Sequence, residues 1–452
     1  MMTHIPALRL GRPYESLDKI RLKDSLGTVS QVNAGIIRKD LRKIAASRAA
    51  LKQFSFAQLI ELCGRAGDIF LNENDPQKYV ETVSATSGLP HVLVRRNMQR
   101  IHDMLANMGR VVGGLTRGLD LDDKTGPYCF NPATDCLGLV MPSNSPAVNS
   151  LWLPAIALRI PVVIKPGRDE PWTPFRLIQS FIAAGIPAEA FCFYPTDHEG
   201  ADTILRHCGR SLVFGDKSTT DKYAGNSAIQ VHGPGHSKVL VGADQIGRWP
   251  EYLDVLADSI ASNSGRSCLC ASVIVVPSHA DEIADALAKR LGPVAPLPPA
   301  DENAALSAFA NPKMAEAINA GIEEGLATPG AEDVTARYRG GPRLSDFQGG
   351  TYLRPTIVRC DSFSHPLAGK EYLFPYASVV EVEQDRMLEQ IGSSLVVTAI
   401  TRDERWIEQL MESSHIDRLN IGPIPTMKIS WDQPHEGNLF EFLYKRRAFE
   451  RA

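Results

Sequence analysis

Between residues 137 and 241 short apolar runs alternate with amphipathic ones, and this alternation constrains the fold more than any other feature. CLGLV, PVVIK, FCFY and SLVFG read as buried strands. NSLWLPAIALRI, TPFRLIQSFIAAG and EGADTILRHCG lie between them with apolar residues at helical spacing, the second closed by Gly185. Strand, helix, strand at this spacing predicts a parallel sheet covered on both faces, a doubly wound nucleotide-type fold. A second alternation follows residue 263. VIVVP is a strand and HADEIADALAKRL a helix; residues 302–325 hold further helices; GGTYLRPTIV, LFPYASVVEVE and SSLVVTAIT are strands. DFQGG reads as a turn. Ahead of both lie amphipathic helices over 35–63 and 91–108 and a turn-rich stretch over 112–135.

Composition narrows the function classes. A formal net charge of −4, with 44% hydrophobic and 22% charged residues, argues for an ordinary globular protein without a nucleic-acid or membrane partner. The apolar run 151–164 is interrupted by Pro154, Arg159 and Pro161, which makes it unfit to span a bilayer. The first residues lack a signal-peptide core, so a cytoplasmic protein is expected. The eight cysteines are scattered, which suits a reducing compartment. Cys268 and Cys270 form a C-x-C without a second pair at zinc spacing, so no metal site is expected. Asp432, His435 and Glu436 in WDQPHEG fit no standard ligand spacing either.

G-x-G-x-x-G is absent after every candidate strand. Three other turns, MPSNSP (141–146), KPGRDEPWTP (165–174) and FGDKSTT (214–220), each follow a strand and open a helix, where backbone N–H groups favour phosphate. A fourth, NSGRSC (263–268), carries a thiol at a helix-to-strand junction. Taken in order, these segments resemble the aldehyde dehydrogenase superfamily. MPSNSP matches its P-W-N-x-P element, KPGRDEPWTP its K-P-x-x-x-T-P element, and NSGRSC its N-x-G-Q-x-C element. PTIV (355–358) and EYLFP (371–375) resemble its P-T and E-x-F-G-P elements.

The resemblance implies roles. Cys268 aligns with the nucleophile, and a thiolate suits addition to a carbonyl followed by departure; Cys270 is then a packing neighbour. Asn144 aligns with the amide of the oxyanion hole. Lys165 aligns with a lysine on the adenosine ribose, and Glu371 with the glutamate holding the nicotinamide ribose. Gly215 falls where the family's chain passes the pyrophosphate, with Pro142 and Ser143 on the neighbouring turn. The cofactor would be NAD or NADP: Arg168 could pair with a 2′-phosphate, whereas Asp169 and Glu170 could bond ribose hydroxyls. Two departures stand out: Asp216 follows Gly215 where an acid beside phosphate is unfavourable, and Leu373 and Phe374 replace the Phe-Gly pair.

The most informative departure is VHGPGHSKVLV (231–241), where hydrolytic members read E-L-G-G-K. His232 replaces the glutamate that activates water, and H-G-P-G resembles the G-P-G-N of the CoA-acylating branch. Without a carboxylate base water attacks the thioester slowly, and a CoA thiol can intercept the acyl group. His232 could itself be a base or a packed histidine; His236 has no evident role.

The expectation is therefore an α/β, aldehyde-dehydrogenase-like protein with two doubly wound domains and an oligomerisation arm. Residues 1–242 form the nucleotide-binding domain, 243–415 the catalytic domain and 416–452 the return segment. TGPYCFNPATDC (125–136) is read as a hairpin of the arm, and the aromatic-rich C-terminus, if exposed, as an interface of a homodimer or homotetramer. The leading function is a CoA-acylating aldehyde dehydrogenase, or acyl-CoA reductase, with an aldehyde or acyl-CoA substrate and coenzyme A as cosubstrate. The alternatives are a non-acylating dehydrogenase that yields a free acid and a relative that has lost catalysis.

Overall fold

The structure is a computed structural model that describes residues 3–23, 26–123, 128–433, 437–448 and 450. It divides into two units: 1–87, 94–233 and 430–452 form the first, and 88–93 with 234–429 the second.

The first unit is built on a seven-stranded sheet. Its order is Ile229–His232, Arg210–Phe214, Leu137–Val140, Val162–Lys165, Phe191–Phe193, Ala7–Arg9, Arg12–Tyr14. The first five run parallel, and Ala7–Arg9 is antiparallel to both of its neighbours, Phe191–Phe193 and Arg12–Tyr14. From the Leu137 strand the chain winds outward one way through Val162 and Phe191, then returns to the other side at Arg210. The switch point of the sheet therefore lies between the Leu137 and Arg210 strands, where open α/β sheets hold ligands beyond the carboxyl ends. Val162, Val163 and Ile164 are fully buried because helices cover both faces. Helix Trp172–Ala184 is stopped by Gly185 at φ +110°, a conformation that glycine adopts without steric cost. Its Phe181 stacks on Phe191 at 5.6 Å and meets Trp152 at 6.0 Å.

The second unit repeats the theme in the order Ala331–Asp333, Thr356–Cys360, Tyr376–Glu381, Ala271–Val276, Ser237–Val241, Ser394–Ile400, Ile416–Ile421. All pairs are parallel except that of Ala331–Asp333. Helices Leu253–Ala261 and Ala280–Leu291 bury Leu256, Ile260, Ile283 and Leu287 against Val239, Ile274 and Val379. Each such side chain contributes roughly 1.5–3 kcal/mol.

Several expectations are corrected. The domain boundary falls after Gly233 rather than 242, because Ser237–Val241 pairs with Ala271–Val276 and Ser394–Ile400 of the second sheet. Ile416–Ile421 likewise pairs with Ser394–Ile400, so the return to the first unit begins at Ser430 rather than 416. The helix expected over 35–63 is three helices, Ala34–Leu41, Ile44–Leu51 and Phe56–Asn72; the last is started by a Ser55–Gln58 capping box. Residues 302–311 are irregular, tied by a lone bridge between Phe309 and Thr351, and the helix begins at Pro312 after the Asn311 cap. The stretch 112–135 starts inside helix Met108–Thr116. The described part of 125–136 is no hairpin. Tyr128–Pro132 pairs with the distant Tyr444–Ala448, and Asn131–Pro132 lies in a strand rather than a turn; residues 125–127 lie outside the described residues. Among the described residues the C-terminal aromatics form no exposed patch: Phe440 and Tyr444 are buried, and Trp431 and Phe442 are half-buried. Helix Leu439–Leu443, capped by Asn438, buries Leu439, Phe440 and Leu443 in the first unit, and Tyr444 Oη donates to the Leu158 carbonyl at 2.6 Å. Among the described residues no helix is long and apolar enough to cross a membrane.

Candidate active site

In the first unit the sequence-selected residues gather at the carboxyl ends of neighbouring strands. Met141 N donates to the Lys165 carbonyl at 2.9 Å, so the turns after the Leu137 and Val162 strands lie side by side. Gly167 is required there: a Cβ would stand 2.4 Å from the Pro142 carbonyl oxygen and 2.5 Å from Ser143 Oγ. Ser143 Oγ accepts from Asp169 N at 3.1 Å. Lys165 ends its strand half-buried, and burial lowers the pKa of its ammonium against the pull of Asp169. Arg168 and Asp169 are exposed. Glu170 is not available to ribose hydroxyls: it is 3% exposed and accepts from Thr173 N at 2.8 Å and Thr173 Oγ1 at 2.9 Å. Burial pushes its carboxyl up to about 8.

Asn144 follows on the same loop, which Asn97 anchors by accepting from Ser145 Oγ at 2.8 Å and Ala147 N at 3.2 Å. The Asn144 carboxamide oxygen is buried and makes no hydrogen bond among the described residues. Across the switch point, Gly215 N donates to the His232 carbonyl at 3.1 Å, and a Cβ on Gly215 would stand 2.4 Å from Thr219 Cβ. The Asp216 carboxylate is engaged: it caps helix Lys217–Tyr223, accepting from Ser218 Oγ at 2.6 Å and Thr219 N at 3.1 Å. The Ser218 hydroxyl and the Thr219 N–H hold it below the usual carboxylate range. His232 is 5% exposed and stacks on Phe214, ring centroids 4.6 Å apart at 15°.

In the second unit the chemistry sits at the amino ends of the strands. Asn263, Ser264 and Gly265 are consecutively left-handed, at φ 51°, 60° and 67°. For non-glycine residues this costs about 1–2 kcal/mol each. A Cβ on Gly265 would lie 2.3 Å from the Phe374 carbonyl carbon and 2.5 Å from Pro375 N, so glycine alone lets the EYLFP segment press on this turn. Next, buried Arg266 donates to the Ala308 carbonyl and sits 5.3 Å from the Phe309 ring centre; burial lowers it to about 10.

Cys268 is half-buried, against Cys270, Leu395 and Met427. Its carbonyl accepts from Ser237 Oγ at 2.7 Å, and Gly235 approaches so closely that a Cβ there would lie 2.2 Å from the same oxygen. Cys270 is buried, its thiol directed to the Ser262 carbonyl at 3.3 Å and to Met427 Sδ at 3.9 Å. Glu371 Oε2 accepts from His236 N at 2.6 Å. Lys238 is 2% exposed; its Nζ donates to the His236 carbonyl at 2.5 Å and to Ser394 Oγ at 2.7 Å. Burial pushes Lys238 down to about 8 against the attraction of Glu371. Among the described residues no group of three or more His, Cys, Asp or Glu is arranged to hold a metal.

This ordered set of turns has counterparts across most of the chain. The profile of the Aldehyde dehydrogenase family matches residues 12–421. The chain belongs to the aldehyde dehydrogenase family. Its members are NAD(P)-dependent oxidoreductases acting on aldehydes, and this chain is an enzyme of that kind. It is 27% identical to a 5-carboxymethyl-2-hydroxymuconate semialdehyde dehydrogenase from Escherichia coli over 76% of this chain and 75% of that protein. It is 28% identical to an aminoacetaldehyde dehydrogenase from Pseudomonas aeruginosa, over 55% of this chain and 50% of that one. The fold matches the crystal structure of the aldehyde dehydrogenase KauB from Pseudomonas aeruginosa at a TM-score of 0.84 and 17% identity, covering 99% of this chain and 96% of that one. None of these three names is that of a CoA-acylating enzyme.

The residues of this aldehyde dehydrogenase fit a dinucleotide. A lysine and a serine stand at the carboxyl ends of strands beside the switch point, and Asp216, the acid that follows Gly215, is tied up as a helix cap. The structure brings Pro142, Ser143, Lys165 and Arg168 together on two touching turns, and Gly215 and His232 on another pair of strand ends. It brings Cys268 and Glu371 together through residues 235–238. Trp152 and Tyr444 fill the core of the first unit. Sequence reasoning missed Lys238, although a lysine beside the apolar run VLV was the available signal, and left His236 without a role although its backbone N–H holds Glu371. The Arg266 side chain also went unremarked; a charge inside the nucleophile motif in place of glutamine was its signal.

Proposed function

We propose that the chain oxidises an aldehyde to the free carboxylic acid through a thioester on Cys268, without coenzyme A. The reading is carried by the likeness, over three quarters of the chain, to a semialdehyde dehydrogenase whose name carries no acyl transfer to CoA. This reverses the order of preference given by the 231–241 motif alone. The Cys268 thiolate adds to the aldehyde carbon, forming a C–S bond and placing the carbonyl electron pair on oxygen. The Asn144 carboxamide N–H donates to that oxyanion; its own oxygen, being uncommitted among the described residues, leaves the amide free to turn toward it. The oxyanion's electron pair re-forms the carbonyl as the former aldehyde C–H bond breaks and its hydride leaves, giving the thioester; NAD or NADP, when bound, supplies the hydride acceptor. Lys165, Ser143, Pro142, Gly215 and Arg168 hold its adenosine and phosphate portions, and Glu371 holds the nicotinamide ribose. Water then adds to the thioester carbonyl, the C–S bond breaks, and the thiolate is regenerated; His232, in place of the family's glutamate, takes the proton from water. The two-stranded ribbon of Tyr128–Pro132 and Tyr444–Ala448, exposed over Lys445–Ala448, supports self-association as a dimer or tetramer.

One observation favours the acylating reading as second choice. His232 is buried and stacked on Phe214, which limits the approach of water to it, and a slow water step leaves the thioester for the CoA thiol. The test is a panel of aldehydes with NAD or NADP, with and without CoA, products identified by mass. Free acid formed at the same rate in both arms supports the proposal. Reduced cofactor that appears only with CoA, together with an acyl-CoA, replaces it with the second reading. A Cys268→Ala variant that retains turnover sinks both.

A further inference from the structure

The amino-terminal end of the Ser237–Val241 strand and the two residues before it make three attachments in three residues. His236 N–H reaches Glu371 at 2.6 Å, Ser237 Oγ reaches the Cys268 carbonyl at 2.7 Å, and Gly235 lies against that carbonyl, its own oxygen accepting from Leu395 N at 2.8 Å. The geometry here is unusual. His236 is left-handed at φ 45°, and the register with Ala271–Val276 slips between Ser237 and Lys238, which makes a bulge. Something must hold this short segment in a conformation it does not choose unaided.

Lys238 is placed to do so. Its side chain turns back along its own strand, and Nζ grips the His236 carbonyl at 2.5 Å while donating to Ser394 Oγ at 2.7 Å and the Ser393 carbonyl at 3.4 Å. Ser394 begins the neighbouring strand and also donates to the Gly392 carbonyl at 3.2 Å. A buried ammonium is an expensive way to fill an otherwise apolar strand, and an apolar side chain of similar volume often serves stability as well or better. The position therefore calls for a reason other than stability.

We propose that Lys238 is a positioning residue for the dehydrogenase reaction: its ammonium clamps the His236 peptide to the 393–394 turn, and so holds the Glu371 carboxylate and the main chain of Cys268 in one fixed arrangement. This rests on the roles proposed above for Cys268 and Glu371. The clamp acts at one remove, through the His236 N–H on one side and the Ser237 hydroxyl on the other. Both attachments leave the same two residues, so the carboxylate and the thiol's backbone share a single reference point.

The test uses the full chain and needs no knowledge of the aldehyde. Binding of NADH and NADPH is followed by fluorescence, and alkylation of Cys268 by iodoacetamide is followed by intact mass in the absence of cofactor. Lys238→Met is expected to weaken binding of the preferred cofactor about tenfold, the loss of one charge-assisted contact. It should also change the Cys268 alkylation rate at least ~3-fold, with the circular-dichroism spectrum kept. Ser394→Ala, which removes one partner of the ammonium, is expected to move both readouts the same way by about 2–3-fold. Wild-type affinity and wild-type alkylation in a folded Lys238→Met overturn the proposal; if that variant does not fold, unchanged values in Ser394→Ala overturn it. Glu371→Gln separates this inference from the reading beneath it. If Glu371→Gln weakens cofactor binding and Lys238→Met does not, only the clamp is wrong. If Glu371→Gln binds as wild type, the role given to Glu371 is wrong.

Discussion

Glu170 offers a measurement in which the sign and the size both follow from geometry. It lies in the turn that opens helix Trp172–Ala184, 3% exposed, its carboxyl met by the Thr173 N–H and hydroxyl and by the Trp172 backbone N–H. Burial raises the folded pKa to about 8 from 4.5. In the unfolded chain the group ionises near its ordinary value; in the fold it keeps its proton until pH 8. Between those values the folded state binds the extra proton, so stability present below pH 4.5 is lost as pH rises. At ~1.4 kcal/mol per unit, the group removes about 3 kcal/mol between pH 4.5 and pH 7, and about 5 kcal/mol by pH 8. Glu170→Gln keeps an oxygen for Thr173 and cannot ionise. Urea unfolding of wild type and variant, run at half-unit steps from pH 5 to pH 8.5, should show similar midpoints at the acid end and a growing advantage for the variant above it. A difference between the two proteins that stays constant with pH would refute the reasoning, because it would mean that the carboxylate ionises in the fold without penalty.

Asn144→Ala should lower kcat by about 10²–10³-fold, roughly 3–4 kcal/mol of oxyanion stabilisation, with little change in aldehyde KM in steady-state assays. Gly265→Ala places a Cβ 2.3 Å from the Phe374 backbone at φ 67° and should slow Cys268 alkylation and lower the melting temperature together, both read on the same preparation. Arg168→Ala should weaken NADPH about tenfold relative to NADH by fluorescence titration if the exposed guanidinium meets a 2′-phosphate.

Much of the first unit was legible because its strands are buried on both faces and read as unbroken apolar runs; CLGLV and PVVIK could hardly be anything else. The turns were legible because strand ends at a switch point must be followed by small, polar residues. The failures have a common origin in partners distant along the chain. Asn131–Pro132 reads as a turn locally, but Lys445 and Tyr444 pair opposite and make it a strand. Residues 302–306 have helical composition, yet the chain here is irregular and Ala308 N donates instead to the Gly88 carbonyl at 2.9 Å. The boundary at 242 missed because the apolar run VLV belongs equally well to either sheet by pattern; only its pairing with Ala271–Val276 and Ser394–Ile400 decides. The nucleophile was visible as a motif, whereas the backbone that carries it was not: no pattern announces two non-glycine residues at positive φ ahead of Gly265.

The first unit is closed by residues that stand at the far end of the chain. Tyr444–Ala448 pairs with Tyr128–Pro132, the Leu443 carbonyl accepts from Ala133 N at 2.8 Å, and Arg210 Nε donates to the Phe442 carbonyl at 2.9 Å. The second unit, by contrast, is almost one continuous stretch, 234–429, needing from outside it only residues 88–93, which are already made. During synthesis the order of completion therefore inverts the order of translation. The thiol-bearing unit holds all its parts as soon as residue 429 leaves the ribosome, whereas the nucleotide-type unit, begun first, waits for residues 442–448, which bring the Arg210 contact and the strand that pairs with Tyr128–Pro132.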